Sequence, residues 1–126
     1  MYCEISDFKG HTFTSIEGME NESDMIRFRC ADDTGFDMFH HQDCCEYVRL
    51  VDICGDVTDL IGTPIVKAVE VSSANEPGPE YAASYTWTFY RISTIKGTVV
   101  LRWLGESSGY YSERVDIVKV RDKSRS

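Results

Sequence analysis

Aromatic and β-branched residues dominate three runs in the last third of the chain, and this pattern predicts the strands of an antiparallel meander. The runs lie within residues 85–120 and are interrupted at Gly97 and at residues 107–109. Trp87 and Phe89 are expected on one face of the first strand and Tyr90 on the other, because successive side chains of a strand point to opposite sides. Arg102 falls among apolar neighbours in the second strand, so its guanidinium needs a partner.

Further elements are predicted before this meander. Clean alternation, a turn cluster and a second apolar run predict a hairpin over residues 25–40. Strands are also predicted over residues 11–16, 47–53 and 65–71, a short helix over 56–61 with Asp56 as its N-cap, and a mobile loop over 72–84. The predicted fold is mainly β (α+β), a single domain over residues 1–126 with an antiparallel β-sheet core and one or two short helices.

Charge and cysteine content narrow the class of protein. The net charge of −8 argues against binding to polymeric nucleic acid, which depends on Lys and Arg. The basic residues are concentrated late: residues 91–126 hold eight basic and four acidic side chains, whereas residues 1–90 hold five and seventeen. No run approaches the roughly 18 apolar residues of a membrane span, and five cysteines without a secretion signal predict small buried thiols rather than disulfides. We therefore expect a protein of the cytoplasm.

The His-His-Gln-Asp-Cys-Cys segment at 40–45 contains the ligand types that zinc prefers. Its contiguous spacing argues against a zinc site, because neighbours in an extended segment point to opposite sides. A nucleophilic Cys assisted by His41 lacks a supporting motif. The favoured interpretation is structural, with buried cysteines and histidines that cap backbone groups, and no metal is expected.

Aromatic and cationic residues in the last third form the remaining candidate for chemistry. Aromatic faces stack on bases and arginine forks grip phosphates, so the combination suits a nucleotide-like ligand. The alternative is that the rings are core residues and the arginines pair with nearby carboxylates, with Glu106, Glu113 and Asp116 as candidates.

Several joined motifs resemble a known family. They are His-Gln-Asp-Cys-Cys-Glu at 41–46, Asp-Ile-Cys-Gly-Asp at 52–56, Asp-Leu-Ile-Gly-x-Pro-Ile at 59–65, Thr-Trp-Thr-Phe-Tyr at 86–90 and Arg-Trp-x-Gly-Glu-Ser-x-Gly-Tyr-Tyr-Ser-Glu at 102–113. Over about residues 25–118 the chain is similar to the phage-encoded Thoeris anti-defence proteins of the first type. The resemblance implies a homo-oligomer, dimer or hexamer, in the host cytoplasm. It also implies that the protein sequesters cyclic ADP-ribose isomers made by TIR-domain proteins at subunit contacts, without cleavage and without a cofactor.

The resemblance also implies which residues meet the ligand, with adenine stacked on an aromatic ring and pyrophosphate held by arginine. Two positions depart from the family pattern: threonine replaces an expected aromatic residue at 98, and serine an expected asparagine at 108. The expected ligand-binding residues are Trp87, Thr98, Arg102, Ser108, Tyr110, Tyr111, Arg121 and Arg125. The identity of the isomer and the binding of cyclic di- or trinucleotides stay open. Alternatives are an enzyme that cleaves a cyclic nucleotide and a zinc-stabilised protein-interaction module.

Overall fold

A computed structural model describes residues 2–73, 83–109 and 111–121, which form two antiparallel sheets around a common core. The expected mainly β, single-domain fold is confirmed. The helical content of the described residues consists of two 3₁₀ turns, Ile5–Phe8 and Val57–Leu60. Neither of these turns has the length or the apolar character needed to cross a membrane.

The first sheet has five strands and contains the predicted hairpin of residues 25–40. Its strands pair in a spatial order that differs from the chain order. Across the sheet they are β1 (Tyr2–Cys3), β9 (Asp116–Arg121), β4 (Thr34–Phe39), β3 (Met25–Cys30) and β2 (Phe13–Glu17).

The second sheet has four strands and is centred on a long hairpin. Across the sheet they are β5 (Tyr47–Cys54), β8 (Gly97–Ser107), β7 (Ser84–Thr94) and β6 (Lys67–Ser73). The strand predictions at 47–53 and 65–71 are confirmed: β5 ends one residue later than predicted, and β6 begins and ends two residues later. Most of the loop predicted over 72–84 lies outside the described residues.

The predicted three-stranded meander is wrong in its third strand. β7 and β8 pair as expected, but β9 lies in the five-stranded sheet between β1 and β4. The edge of β8 is taken instead by β5. β9 crosses because Val115 and Ile117 contribute to the common core from the opposite side.

Fully buried aromatic side chains from both sheets fill the core. Phe8 lies at the end of the first 3₁₀ turn, and its ring centroid is 4.6 Å from that of Phe36 and 4.9 Å from that of Phe28. Trp103 and Tyr90 enter the same core from the four-stranded sheet. Burial of this apolar area is the main stabilising contribution to such a fold.

Candidate functional site

The face of the four-stranded sheet that points away from the core carries the predicted aromatic and cationic residues. We call it the outer face, and its members follow from strand alternation and register. Its cations outnumber its anions, which makes it suitable for an anionic ligand. The charged members are Lys67, Arg91, Arg102, Arg49, Asp52 and Glu106.

Arg102 is the centre of this surface. Its guanidinium carbon lies 5.0 Å from the ring centre of Trp87 and 5.6 Å from that of Phe89. The two rings are nearly parallel, with an interplanar angle of 15° and centroids 6.2 Å apart. These distances are typical of cation–π contacts, which contribute about 0.5–1 kcal/mol at exposed sites. The rings and the cation therefore form one unit.

Asp52 supplies the partner that Arg102 needs. Its Oδ2 lies 3.4 Å from Arg102 Nη1, and both side chains are more than a third exposed. Solvent-exposed pairs of this kind contribute little to stability, about 0–1 kcal/mol. A competing phosphate can therefore displace Asp52 at small cost.

A β-bulge in β5 puts Asp52 on the outer face. Leu50 pairs with Trp103 and points into the core, whereas Asp52 pairs with Arg102, so Val51 is an extra residue in this strand. Strict alternation would have placed residues 50 and 52 on the same face. With Val51 in the strand, the ion pair therefore depends on the bulge.

The rings differ in how much of each remains accessible. Trp87 is only 9% exposed, whereas Phe89 is half-buried. Phe89 and the outward side of the guanidinium therefore offer the open planar surface, and Trp87 packs beside them. Val69 and Val71 extend this surface as exposed apolar residues on β6.

A second arginine on the outer face, Arg49, is held by neighbouring side chains of the same face. Arg49 Nη1 lies 3.2 Å from Glu106 Oε2, and its guanidinium carbon lies 4.2 Å from the ring centre of Tyr47. Both charged side chains are about 90% buried, and breaking a buried pair of this kind leaves an uncompensated charge. Pairing with a carboxylate, the alternative for the arginines, therefore holds for Arg102 with Asp52 and for Arg114, which lies 3.5 Å from Asp116, and it also describes Arg49.

A cleft of about 700 Å³ opens at the side of the molecule, between β6 and the β1–β9 edge. Its charged lining residues are Glu4, Glu70 and Asp116, with Arg114 as the cation. The buried Tyr90 hydroxyl lies beside Glu70. Burial is the largest influence that raises the pKa of Tyr90, and the Glu70 carboxylate is the second. This mainly acidic cleft is a poorer match for a pyrophosphate than the outer face is.

The loop at 40–46 is organised by a buried histidine and glutamate. His40 Nδ1 donates to the Arg114 carbonyl oxygen at 2.7 Å, and its Nε2 lies 2.8 Å from Glu46 Oε2. The hydrogen bond from His40 is the largest influence that lowers the pKa of Glu46, to about 2. The backbone N–H groups of Asp43 and Cys44 also donate to this carboxylate. The expectation that a histidine here caps a backbone group is confirmed for His40.

The structural interpretation of this segment is wrong for its cysteines, which were expected to be buried. Cys44, Cys45 and Cys54 are exposed, and Cys30 is buried as expected. The loop exposes the adjacent pair because Glu46, rather than a cysteine, fills the buried position. Within the described ranges, no three His, Cys, Asp or Glu side chains gather closely enough to hold a metal ion.

The structure brings together only some of the expected ligand residues. Trp87 and Arg102 are in contact, and Thr98 shares their face but lies at the far end of β8, 2.8 Å from Ser93 through their hydroxyls. Three others lie elsewhere: Ser108 in the exposed turn after β8, Tyr111 beside Cys44, and Arg121 at the end of β9 in the other sheet. Tyr110 and Arg125 fall outside the described residues.

Sequence reasoning missed Asp52 as the partner of Arg102 and Arg49 as a member of the outer face. The signal available in the sequence was an acidic residue in the strand predicted at 47–53 and a basic residue, Arg102, in another predicted strand. Without the bulge position, however, the register that joins Asp52 to Arg102 was not determined.

The fold and the outer face define a small antiparallel β-sandwich protein with an aromatic and cationic surface on one sheet. A family model described as a domain of unknown function, DUF7448, matches residues 6–117, and the chain belongs to this family. No curated protein and no solved structure matches it.

Proposed function

We propose that this protein is a phage anti-defence sponge that binds a cyclic ADP-ribose isomer on the outer face and holds it without cleaving it. The observation that carries the proposal is the contact of Arg102 with Trp87 and Phe89. This contact combines a planar surface with a fixed cation, the two groups that a base and a pyrophosphate require. The motif resemblance described above supplies the identity of the signal.

The geometry supports a particular division of roles. The Arg102 guanidinium would receive the pyrophosphate in place of Asp52, whose ion pair is partly exposed. A planar fork binds phosphate oxygens in pairs, which a lysine does not do. The adenine would stack on Phe89, whose accessible ring adjoins the guanidinium. Lys67 and Arg91 would add longer-range attraction from the same face.

The shape of the outer face supports binding between protomers. A single sheet face is open to water and encloses no ligand, whereas effective small-molecule sites bury most of their ligand. Val71 is 56% exposed and Val69 38% exposed beside the Arg102 cluster, so an apolar area is available for a second copy. We propose a homo-oligomer in the host cytoplasm whose protomers enclose the signal between them.

Capture would suppress the signal by mass action, with no chemical step. The requirement is an excess of protein over ligand and slow dissociation of the complex. Binding to the native state alone also raises the apparent stability of the protein. This linkage makes thermal shift a direct measurement of ligand choice.

The first experiment measures thermal shift with cyclic ADP-ribose isomers, cyclic di- and trinucleotides, and linear ADP-ribose as the control. We expect one cyclic ADP-ribose isomer to give the largest rise in Tm. The complex is then heated and the released ligand is identified by mass spectrometry. Intact ligand supports a sponge, whereas a hydrolysed product identifies the cyclic-nucleotide-cleaving enzyme instead.

The second experiment compares two arginine variants by calorimetry. Arg102→Ala should weaken binding about 10- to 100-fold, because hydrogen bonds to charged groups contribute about 1.5–3 kcal/mol. Arg27→Ala is the matched control, since Arg27 is also partly exposed, lies 4.0 Å from Asp37 and belongs to the other sheet. If the folded Arg102→Ala variant and the wild type bound the ligand with equal affinity, the outer face would not be the binding site.

A further inference from the structure

Two adjacent, exposed thiols stand side by side in the loop between β4 and β5. Cys44 and Cys45 are both free and solvent-accessible, and their Sγ atoms lie 2.6 Å apart. This separation is well inside ordinary contact for nonbonded sulfur atoms. A disulfide bond has an S–S length of about 2.0 Å, so a small approach of the two atoms brings them to bonding distance.

The loop backbone holds this pair in place. Cys44 N–H donates to Glu46 Oε1 at 2.8 Å, and the Gln42 side chain donates to the Cys44 carbonyl at 3.2 Å. Glu46 is itself buried against His40. These contacts fix the backbone on both sides of Cys44, so the proximity of the sulfurs is a property of the folded loop.

The surroundings distinguish the two sulfurs. The hydrogen bond with Cys44 is the largest influence that raises the pKa of Cys45, so Cys45 keeps its proton. The Tyr111 hydroxyl also shares a hydrogen bond with the Cys44 thiol, which raises the pKa of Tyr111. The thiolate is the reactive species of a thiol. Cys44 has two hydrogen-bonding neighbours, Cys45 and Tyr111, and this arrangement suits it to attack first and Cys45 to respond.

We propose that Cys44 and Cys45 form a reversible oxidation site that a hydroperoxide converts into a disulfide between adjacent residues. The Cys44 thiolate attacks the terminal peroxide oxygen, the O–O bond breaks, and the leaving alkoxide takes a proton to become an alcohol or water. The Cys45 sulfur then attacks the sulfur of the Cys44 sulfenic acid, and the Cys45 thiol proton leaves with the displaced hydroxyl group as water. In sum, two thiols lose two electrons and two protons, and the peroxide is reduced.

Reversal requires only a dithiol reductant, which returns both sulfurs to thiols by exchange. Oxidation would remove the Cys44 thiol that Tyr111 contacts, and it would close a ring in the backbone beside Glu46. The inference does not depend on which ligand the outer face binds, since the loop and that surface share no side chain.

The test begins with fully reduced, folded protein and one equivalent of hydrogen peroxide. We expect the peptide that contains Cys44 and Cys45 to lose two hydrogens and resist alkylation, and dithiothreitol to restore both properties. Cys54 is the matched control, because it is an exposed single thiol beside the Asp52 carboxylate. It should remain open to alkylation under the same dose.

Two comparisons isolate the contribution of the loop. The folded chain should form the disulfide about tenfold faster than the urea-unfolded chain, because fixed geometry replaces a conformational search. Cys45→Ser should leave Cys44 as a sulfenic acid that a dimedone probe captures. Equal rates of disulfide formation in the folded and the unfolded protein would overturn the proposal. It would also be overturned if Cys44 and Cys45 could still be alkylated after Cys54 had been oxidised.

Discussion

Replacing Phe8 with alanine should lower the free energy of unfolding by about 3–5 kcal/mol, the usual range for a buried phenylalanine. Phe8 is completely buried, and its ring contacts Phe13, Phe28 and Phe36 at centroid distances of 5.3, 4.9 and 4.6 Å. Truncation would remove these contacts and leave a cavity among rings anchored on three strands. Little collapse is available to fill it, so we expect the upper part of the range.

Urea denaturation followed by tryptophan fluorescence measures this loss. For a chain of this size the urea dependence is about 1–3 kcal/mol per molar, so the midpoint should fall by about 2 M. Phe8→Leu retains most of the volume and should cost less than about 1.5 kcal/mol, which keeps the comparison measurable if the alanine variant fails to fold.

Ile95→Ala serves as the matched control, because Ile95 is 81% exposed in the β7–β8 turn. Its effect should stay within about 0.5 kcal/mol. A Phe8→Ala loss below about 1.5 kcal/mol would refute the reasoning, because it would mean that the 3₁₀ turn is not anchored in the core.

Three further outcomes follow from other parts of the fold. The lowered pKa of Glu46, about 2 against an ordinary 4.5, means that its stabilising contribution is complete above pH 4.5 and is lost as the pH falls towards 2. Glu46→Gln should therefore reduce stability at pH 7 and flatten the dependence of stability on pH between those values. Urea titrations at several pH values measure this dependence, and a variant with the same dependence as the wild type would contradict the His40 contact. Gly55→Ala should cost about 1–3 kcal/mol in thermal unfolding, since Gly55 has φ of +115° and its new Cβ would lie 2.5 Å from the Thr98 carbonyl oxygen; a neutral result would show that the turn relaxes. Asp56→Ala should cost about 1 kcal/mol by loss of the N-cap, with Asp56→Asn as the variant that retains it.

The hairpins were predictable because their information is local. Alternation in residues 25–40 and 85–104, with turn residues between the runs, determines both the strands and their faces. This local information also placed Trp87 and Phe89 on one face. The contact of these rings with Arg102 followed once β7 and β8 paired in register.

The position of β9 was not predictable from the same signals. Its alternating residues satisfy either sheet equally well, and only the packing of Val115 and Ile117 against the far side of the core decides between them. The exposure of Cys44 and Cys45 likewise accompanies the burial of Glu46, which is held by His40. Long-range packing of this kind leaves no periodic trace in a sequence.

Val51 makes the outer face depend on a local irregularity of the backbone. If β5 kept regular alternation through Val51, Asp52 would share the face of Leu50, and the guanidinium of Arg102 would lose its counter-charge. Deleting Val51 would instead straighten the strand and leave Leu50 opposite Trp103 and Asp52 opposite Arg102, because adjacent strand residues point to opposite faces. The charge pair between these two strands is therefore expected to survive a one-residue deletion at this position.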